Sequence, residues 1–188
     1  MNLPAKVIRK IHQRLLWLRW WWWLRGRVSG RVKLRGNLRG LSIAASFHCD
    51  GDLWLGIYSD AGRIDIGPDV RASGPLVITA IDEVTLGTGV LLGPNVMITD
   101  HYHGDPKNAG IFDVAPSRRP LFTRGPIRVG DFVQIGANAS VLSPARIGAA
   151  AILGANSVVS GELHARTIYA GAPARPLKTK SSPLLKDE

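Results

Sequence analysis

Two of the five histidines stand one residue apart, in the run Thr99-Asp100-His101-Tyr102-His103-Gly104. Histidine is the side chain best suited to take and return a proton near neutral pH. It is also a common metal ligand, so an H-x-H pair admits two chemistries, a general base or a metal site. Asp100, directly ahead, can orient the base or contact a substrate. The remaining three, His12, His48 and His164, are scattered along the chain, and each alone reads as a surface or packing residue.

The element that must carry this pair is written in a period of six. Val129, Ile135, Val141, Ile147, Leu153 and Val159 recur without a slip, and Gly follows four of them. Four residues after each comes Val133, Ala139, Ala145, Ala151, Ser157 and then Leu163. An upstream block keeps the register with Leu86-Gly87, Leu92-Gly93 and Ile98, and Ile66-Gly67 opens an earlier coil. A period of six excludes both an amphipathic helix, at 3.6, and a plain hairpin sheet, at 2. It fits three short strands per turn of a triangular prism, with one aliphatic per hexad pointing inward and a small residue at each corner. Gly after the aliphatic is expected to supply turn geometry that a Cβ would strain. The period fails after His103 and resumes at Ile127. Residues 104–126, rich in Gly, Pro and Arg, therefore read as a loop leaving the prism, and loops this long are usually functional or disordered.

Three segments carry a resemblance: IDIGPDV with VTLGTGVLLGPNVMITDHYHG, then PIRVGDFVQIGANASV, then IYAGAPARPLK. Together they span roughly Ile64 to Lys178. They resemble the hexapeptide-repeat acyltransferases, in the branch of the maltose and galactoside O-acetyltransferases and the polysaccharide-biosynthesis acetyltransferases. The resemblance implies an all-β fold, a left-handed parallel β-helix over residues 40–176, with trimers and active sites between subunits. It implies acetyl-CoA as acyl donor and a histidine base that activates an acceptor hydroxyl. Counting from Pro94-Asn95-Val96 as the family does places that base at His103; a two-residue deletion would place it at His101. Asp100 and the second histidine are then orienting or acceptor-contacting groups. The resemblance further places Gly136, Ala137, Gly154 and Ala155 along the pantetheine arm, with an amide N–H near Ala137 facing the oxyanion. It places Arg175 and Lys178 at the nucleotide phosphates, where charge-assisted contacts are favoured. Carbonic anhydrases on the same prism carry an H-x4-H spacing that this chain lacks, so no metal is expected.

Two departures bear on the acceptor. Gln134 stands where a Trp commonly precedes the Ile-Gly of the cofactor coil. Leu76-Val77-Ile78-Thr79-Ala80 lacks the acidic and amide groups that simple-sugar acetyltransferases carry there, which argues against maltose or a galactoside. The expected reaction is O-acetylation of a sugar hydroxyl on a glycan or lipid-linked saccharide of surface polysaccharide assembly. The rivals are an N-acyltransferase of a nucleotide-linked amino sugar and a non-catalytic β-helix scaffold.

Charge is unevenly spread. The chain of 188 residues is formally +10, yet its first 49 residues hold eleven Lys or Arg and no acid. The remainder holds thirteen basic and fourteen acidic residues, a net of −1. Residues 1–39 thus read as a basic arm ahead of the prism, and residues 177–188 as a tail. Within the arm, Val7, Ile11, Leu15, Leu18 and Trp22 recur at helical spacing, with Lys6, Arg9, Lys10 and Gln13 opposite. The apolar run is too short to span a bilayer, Arg19 interrupts it, and no signal-peptide cleavage site is visible. Four consecutive Trp at 20–23 between arginines suit a helix lying in a membrane interface through residues 6–25. Basic-plus-aromatic composition also suits single-stranded nucleic acid, but nothing resembles a nucleic-acid module, and no nucleic-acid partner is expected. A lone Cys49 rules out a disulfide within the chain and fits a reducing compartment. The expected location is cytoplasmic, peripheral on the inner face of the cell membrane.

Overall fold

The structure is a computed structural model that describes residues 5–177, with side chains from Ile11 onward. Lys178 lies outside the described residues. Residues 32–170 wind into a left-handed parallel β-helix of about 6 turns. Three flat faces run along the axis. The first stacks Val32–Gly36, Leu53–Ile57, Leu76–Ala80, Val96–Thr99 and the opening residues of Ser140–Ile147 and Val158–Leu163. Those last two strands continue round the corner into the second face, below Leu41–Ile43, Arg63–Ile66, Glu83–Leu86 and Ile127–Val129. Two-residue strands such as Leu91–Leu92, Gln134–Ile135 and Ile152–Leu153 make the third.

The inward side chains form continuous buried ladders, one residue per coil. On the first face Leu34, Leu55, Ile78, Ile98, Val141 and Val159 stack in register, all buried. On the third face the ladder is Cys49, Ala72, Leu92, Ile135, Leu153 and Tyr169. Cys49 is thus a small core residue, fully buried.

The repeat glycines do a different job from the one the sequence suggests. Gly67, Gly87, Gly93, Gly130, Gly136 and Gly148 do not have positive φ. A Cβ on any of them would come within 3 Å of the next coil, in most cases of its backbone. They are spacers that let coils approach at sheet distance. The left-handed turn falls two residues later, on Asp69, Asn95, Phe132, Asn138, Ala150 and Asn156, with φ from 55° to 59°. Asn tolerates that region because its short polar side chain bonds locally. Here the bonds run between coils: Asn95 Nδ2 donates to Asn138 Oδ1 at 3.1 Å, and Asn138 Nδ2 to Asn156 Oδ1 at 3.2 Å.

The prism begins ahead of Gly40. Val32–Gly36 pairs residue for residue with Leu53–Ile57. Only Leu34 of this strand points fully inward, while Lys33 and Arg35 face out, so no hexad betrays it. The helix Ala5–Leu24 covers this first coil. Trp20 and Leu24 are buried in the core, with Leu16 and Trp23 packed against it. An uncovered first coil would present unpaired strand edges, and the helix closes that end. The stripe read from the sequence is the opposite one: Ile11, Leu15, Leu18 and Trp22 are exposed, Trp22 at 68%. The helix is therefore apolar on two sides, one spent on the core and one facing out.

Candidate active site

The corner between the first and second faces positions the histidines. In the third coil this corner is Ile81-Asp82, and in the fourth it is Asp100-His101, from which the chain leaves the prism. Asp100 has no solvent exposure. Its two carboxylate oxygens accept the backbone N–H groups of Ile81 at 2.8 Å and Asp82 at 2.7 Å, which ties one coil to the next. The same Oδ1 lies 3.0 Å from His101 Nδ1. A carboxylate already serving two N–H donors acts as acceptor here, so the proton sits on His101 Nδ1 and the lone pair on Nε2. The His101 side chain is only 10% exposed, and the Tyr58 ring meets it edge-on with centroids 5.6 Å apart.

His103 is held differently. It lies on the two-residue strand Tyr102–His103, paired antiparallel with Leu121–Phe122 at the mouth of the loop. Its side chain is exposed, and among the described residues it has no hydrogen-bond or ionic partner. Both rings border one groove of about 430 Å³ on the outer surface of the first face, floored by Val77, Thr79, Met97 and Thr99. Among the described residues no group of three or more His, Cys, Asp or Glu is gathered closely enough to hold a metal ion.

The excursion has local structure of its own. It contains the short turns Ala109–Asp113 and Pro116–Arg118. Ser143, buried at the same corner one coil on, fastens its base. Ser143 Oγ donates to the Gly125 carbonyl and accepts the Arg124 N–H, while the Tyr102 hydroxyl donates to the Ser143 carbonyl at 2.6 Å.

The residues assigned to the acyl donor line another edge. Gly136-Ala137 and Gly154-Ala155 form successive corners between the third and first faces, one above the other. The Gly136 and Gly154 N–H groups are used in coil pairing. Among the described residues the N–H groups of Ala137 and Ala155 have no acceptor. Arg175 closes the same edge, on a strand folded back against Ala170. Its side chain is exposed and, among the described residues, bonds only the adjacent Ala174 carbonyl. Within one chain this edge and His101 flank opposite sides of the first face, which is about 13 Å wide at four residues of about 3.3 Å each. The structure brings Gly136, Ala137, Gly154, Ala155 and Arg175 to one edge and Asp100 together with His101, but not the two groups together.

Sequence reasoning missed Tyr58 and Trp54, both on the second coil and far from any hexad signal. The one clue was Gly56, an isolated glycine inside a strand, which marks a place where another group comes close. A Cβ at Gly56 would meet the Tyr58 ring within 3 Å.

Comparison with known proteins agrees with this architecture. Residues 126–161 match the family described as bacterial transferase hexapeptide (six repeats). The chain belongs to the hexapeptide-repeat acyltransferase family. It is 34% identical over 130 residues, 66% of each chain, to WbbJ of Escherichia coli (strain K12), named as a lipopolysaccharide biosynthesis O-acetyl transferase. It is 29% identical over 125 residues to the galactoside O-acetyltransferase of the same organism, covering 64% of this chain and 56% of that one. The chain thus spans about two thirds or less of the length of these relatives. Among solved structures, the hexapeptide-repeat acetyltransferase VCA0836 of Vibrio cholerae, complexed with acetyl coenzyme A, shares the fold. Its TM-score is 0.54 at 22% identity, over 84% of this chain and 74% of that one.

Proposed function

We propose that the chain transfers an acetyl group from acetyl-CoA to a saccharide hydroxyl, with His101 as the general base. The observation that carries this is the Asp100–His101 pair at the end of an outer groove. His101 Nε2 takes the hydroxyl proton as the oxygen attacks the thioester carbonyl. The new C–O bond forms, the C–S bond breaks, and the proton passes to the departing thiolate. Buried Asp100 fixes the ring and stabilises the imidazolium that forms. His103, exposed and unpartnered among the described residues, is an acceptor-contacting group at the groove mouth rather than the base. The unsatisfied N–H groups of Ala137 and Ala155 support a role for that edge in holding the pantetheine arm, with the Ala137 amide suited to an oxyanion. Arg175, exposed at that edge, and Lys178 are assigned to the nucleotide phosphates on the resemblance.

Because the donor edge and His101 flank opposite sides of one face, a complete site takes the edge of one chain and the histidine of another. A homotrimer supplies that arrangement three times. The two-sided helix supports attachment to an anionic membrane surface: Ile11, Leu15, Leu18 and Trp22 face outward on an arm without acids, and Arg25 lies over the Trp21 ring. No helix among the described residues is long and apolar enough to cross a membrane. His101, in the fourth coil, sits about 14 Å along the axis from the first at about 4.8 Å per coil. A lipid-linked saccharide of surface polysaccharide assembly, at the inner face of the cell membrane, fits that placement.

The test is release of free thiol from acetyl-CoA by the purified chain, with and without hydroxy-sugar and amino-sugar acceptors. Faster release with hydroxy-sugars is expected. Preference for amino-sugars would mark an N-acyltransferase, and neither binding nor slow hydrolysis of acetyl-CoA would leave a scaffold.

A further inference from the structure

The groove bordered by His101 crosses the outer surface of the first face along coils two to four, and its second-coil wall is aromatic. Trp54 and Tyr58 both belong to the second coil, whereas His101 belongs to the fourth. Trp54 is in register with Val77 and then Met97, so these three stand in a row on the outer surface. Beside that row runs another of Gly56, Thr79 and Thr99, in which Thr79 Oγ1 donates to Thr99 Oγ1 at 2.9 Å. Because position 56 has no Cβ, the Tyr58 ring folds back over it and reaches the edge of His101. The Tyr58 hydroxyl has no hydrogen-bond partner among the described residues, and Tyr58 is 39% exposed.

We propose that this groove is the acceptor subsite, and that it takes a saccharide ring against Trp54 and Tyr58. This rests on the acyl-transfer reading above. A hexose presents an apolar C–H face and a rim of hydroxyls. Rings that are apolar on their faces and polar at one tip match both surfaces at once. The groove offers two such rings, an unsatisfied phenol and a threonine hydroxyl pair, and the Lys33 ammonium caps the Trp54 ring at 3.7 Å from its centroid. It therefore suits a sugar ring that is neutral or anionic, since the cation stands at the Trp54 end. Its volume is in the range of small-molecule sites. The donor is not the occupant, because none of its candidate residues lines the groove and they lie in later coils. Tyr58 then serves twice: its ring steadies the edge of His101, and its hydroxyl orients the acceptor. The Leu76–Ala80 strand carries no acidic or amide group, and the aromatic residues one coil earlier take that place.

The experiment uses the full chain and four probes: the methyl glycosides of glucose, galactose, mannose and N-acetylglucosamine. Transfer from labelled acetyl-CoA gives acceptor KM and kcat, and calorimetry gives acetyl-CoA Kd, for wild type, Trp54→Ala, Tyr58→Ala and Tyr58→Phe. Each alanine variant is expected to raise acceptor KM about tenfold, the loss of one stacking surface, with acetyl-CoA Kd unchanged. Tyr58→Phe is expected to raise KM less while keeping the shape of the pH–kcat profile, since the ring against His101 remains. Unchanged acceptor KM in both alanine variants, or a tenfold loss of acetyl-CoA affinity in them, overturns the proposal. Transfer to none of the four probes while wild type still binds and slowly hydrolyses acetyl-CoA overturns the saccharide occupant. Failure of wild type to bind acetyl-CoA instead brings down the acyl-transfer reading.

Discussion

Asp100 Oδ1 lies 3.0 Å from His101 Nδ1 on a carboxylate with no solvent exposure, and that carboxylate also holds two N–H groups of the preceding coil. One side chain thus stitches two coils and aims the ring beside it. Asp100→Asn offers only one acceptor oxygen for three donors and removes the anion facing the imidazolium. It is expected to lower kcat by about 100-fold or more and to destabilise by about 1–3 kcal/mol for each orphaned donor. Rate and urea-unfolding measurements on the same preparation separate the two effects.

The corners give opposite outcomes at neighbouring positions. Gly136→Ala puts a methyl into the backbone of Ala155 and is expected to cost about 2 kcal/mol or more. Asn138→Gly keeps the left-handed turn at φ 58° and loses two inter-coil bonds of about 1 kcal/mol each at most. Urea midpoints should rank wild type, Asn138→Gly, then Gly136→Ala.

The two sides of the N-terminal helix predict a separation of stability from attachment. Leu24→Ala empties a fully buried site and is expected to cost about 2–5 kcal/mol. Trp22→Ala should leave the thermal midpoint unchanged while reducing sedimentation with anionic vesicles. Equal vesicle binding by Trp22→Ala would speak against the outward stripe as the contact.

Burial pushes the Cys49 thiol up to about 11, with smaller contributions from the nearby Asp50 and Asp52 charges. A thiol reagent at pH 8 should react with Cys49 only after unfolding. Between the ordinary value near 9 and about 11, the unfolded chain sheds the proton and the folded chain keeps it. Stability is therefore intact below pH 9 and falls as pH rises through that window, which denaturant midpoints across pH 8–11 would record.

The hexad made the prism legible from Ile64 onward, because each inward aliphatic is a whole coil's commitment to the core. Val32–Gly36 escaped notice because a single Leu34 carries its inward signal. The helix was legible as a helix, but not which side it packs: two apolar stripes are present, and only the geometry of the open end selects Leu16, Trp20, Trp23 and Leu24. At the site, the break in period pointed to both histidines, and counting along the chain put the base at His103. The proposal of His101 instead rests on a carboxylate reaching across coils, which spacing along one coil does not encode. Tyr58 and Trp54 stand two coils from the histidines and lie nowhere near them in sequence.

The most direct test compares His101→Ala with His103→Ala under saturating acetyl-CoA and acceptor, with acetyl-CoA Kd measured alongside. The account predicts that His101→Ala loses at least about 100-fold in kcat at unchanged Kd, while His103→Ala changes kcat by only a few fold and acts mainly on acceptor KM. Loss of turnover in His103→Ala with His101→Ala still active would contradict it.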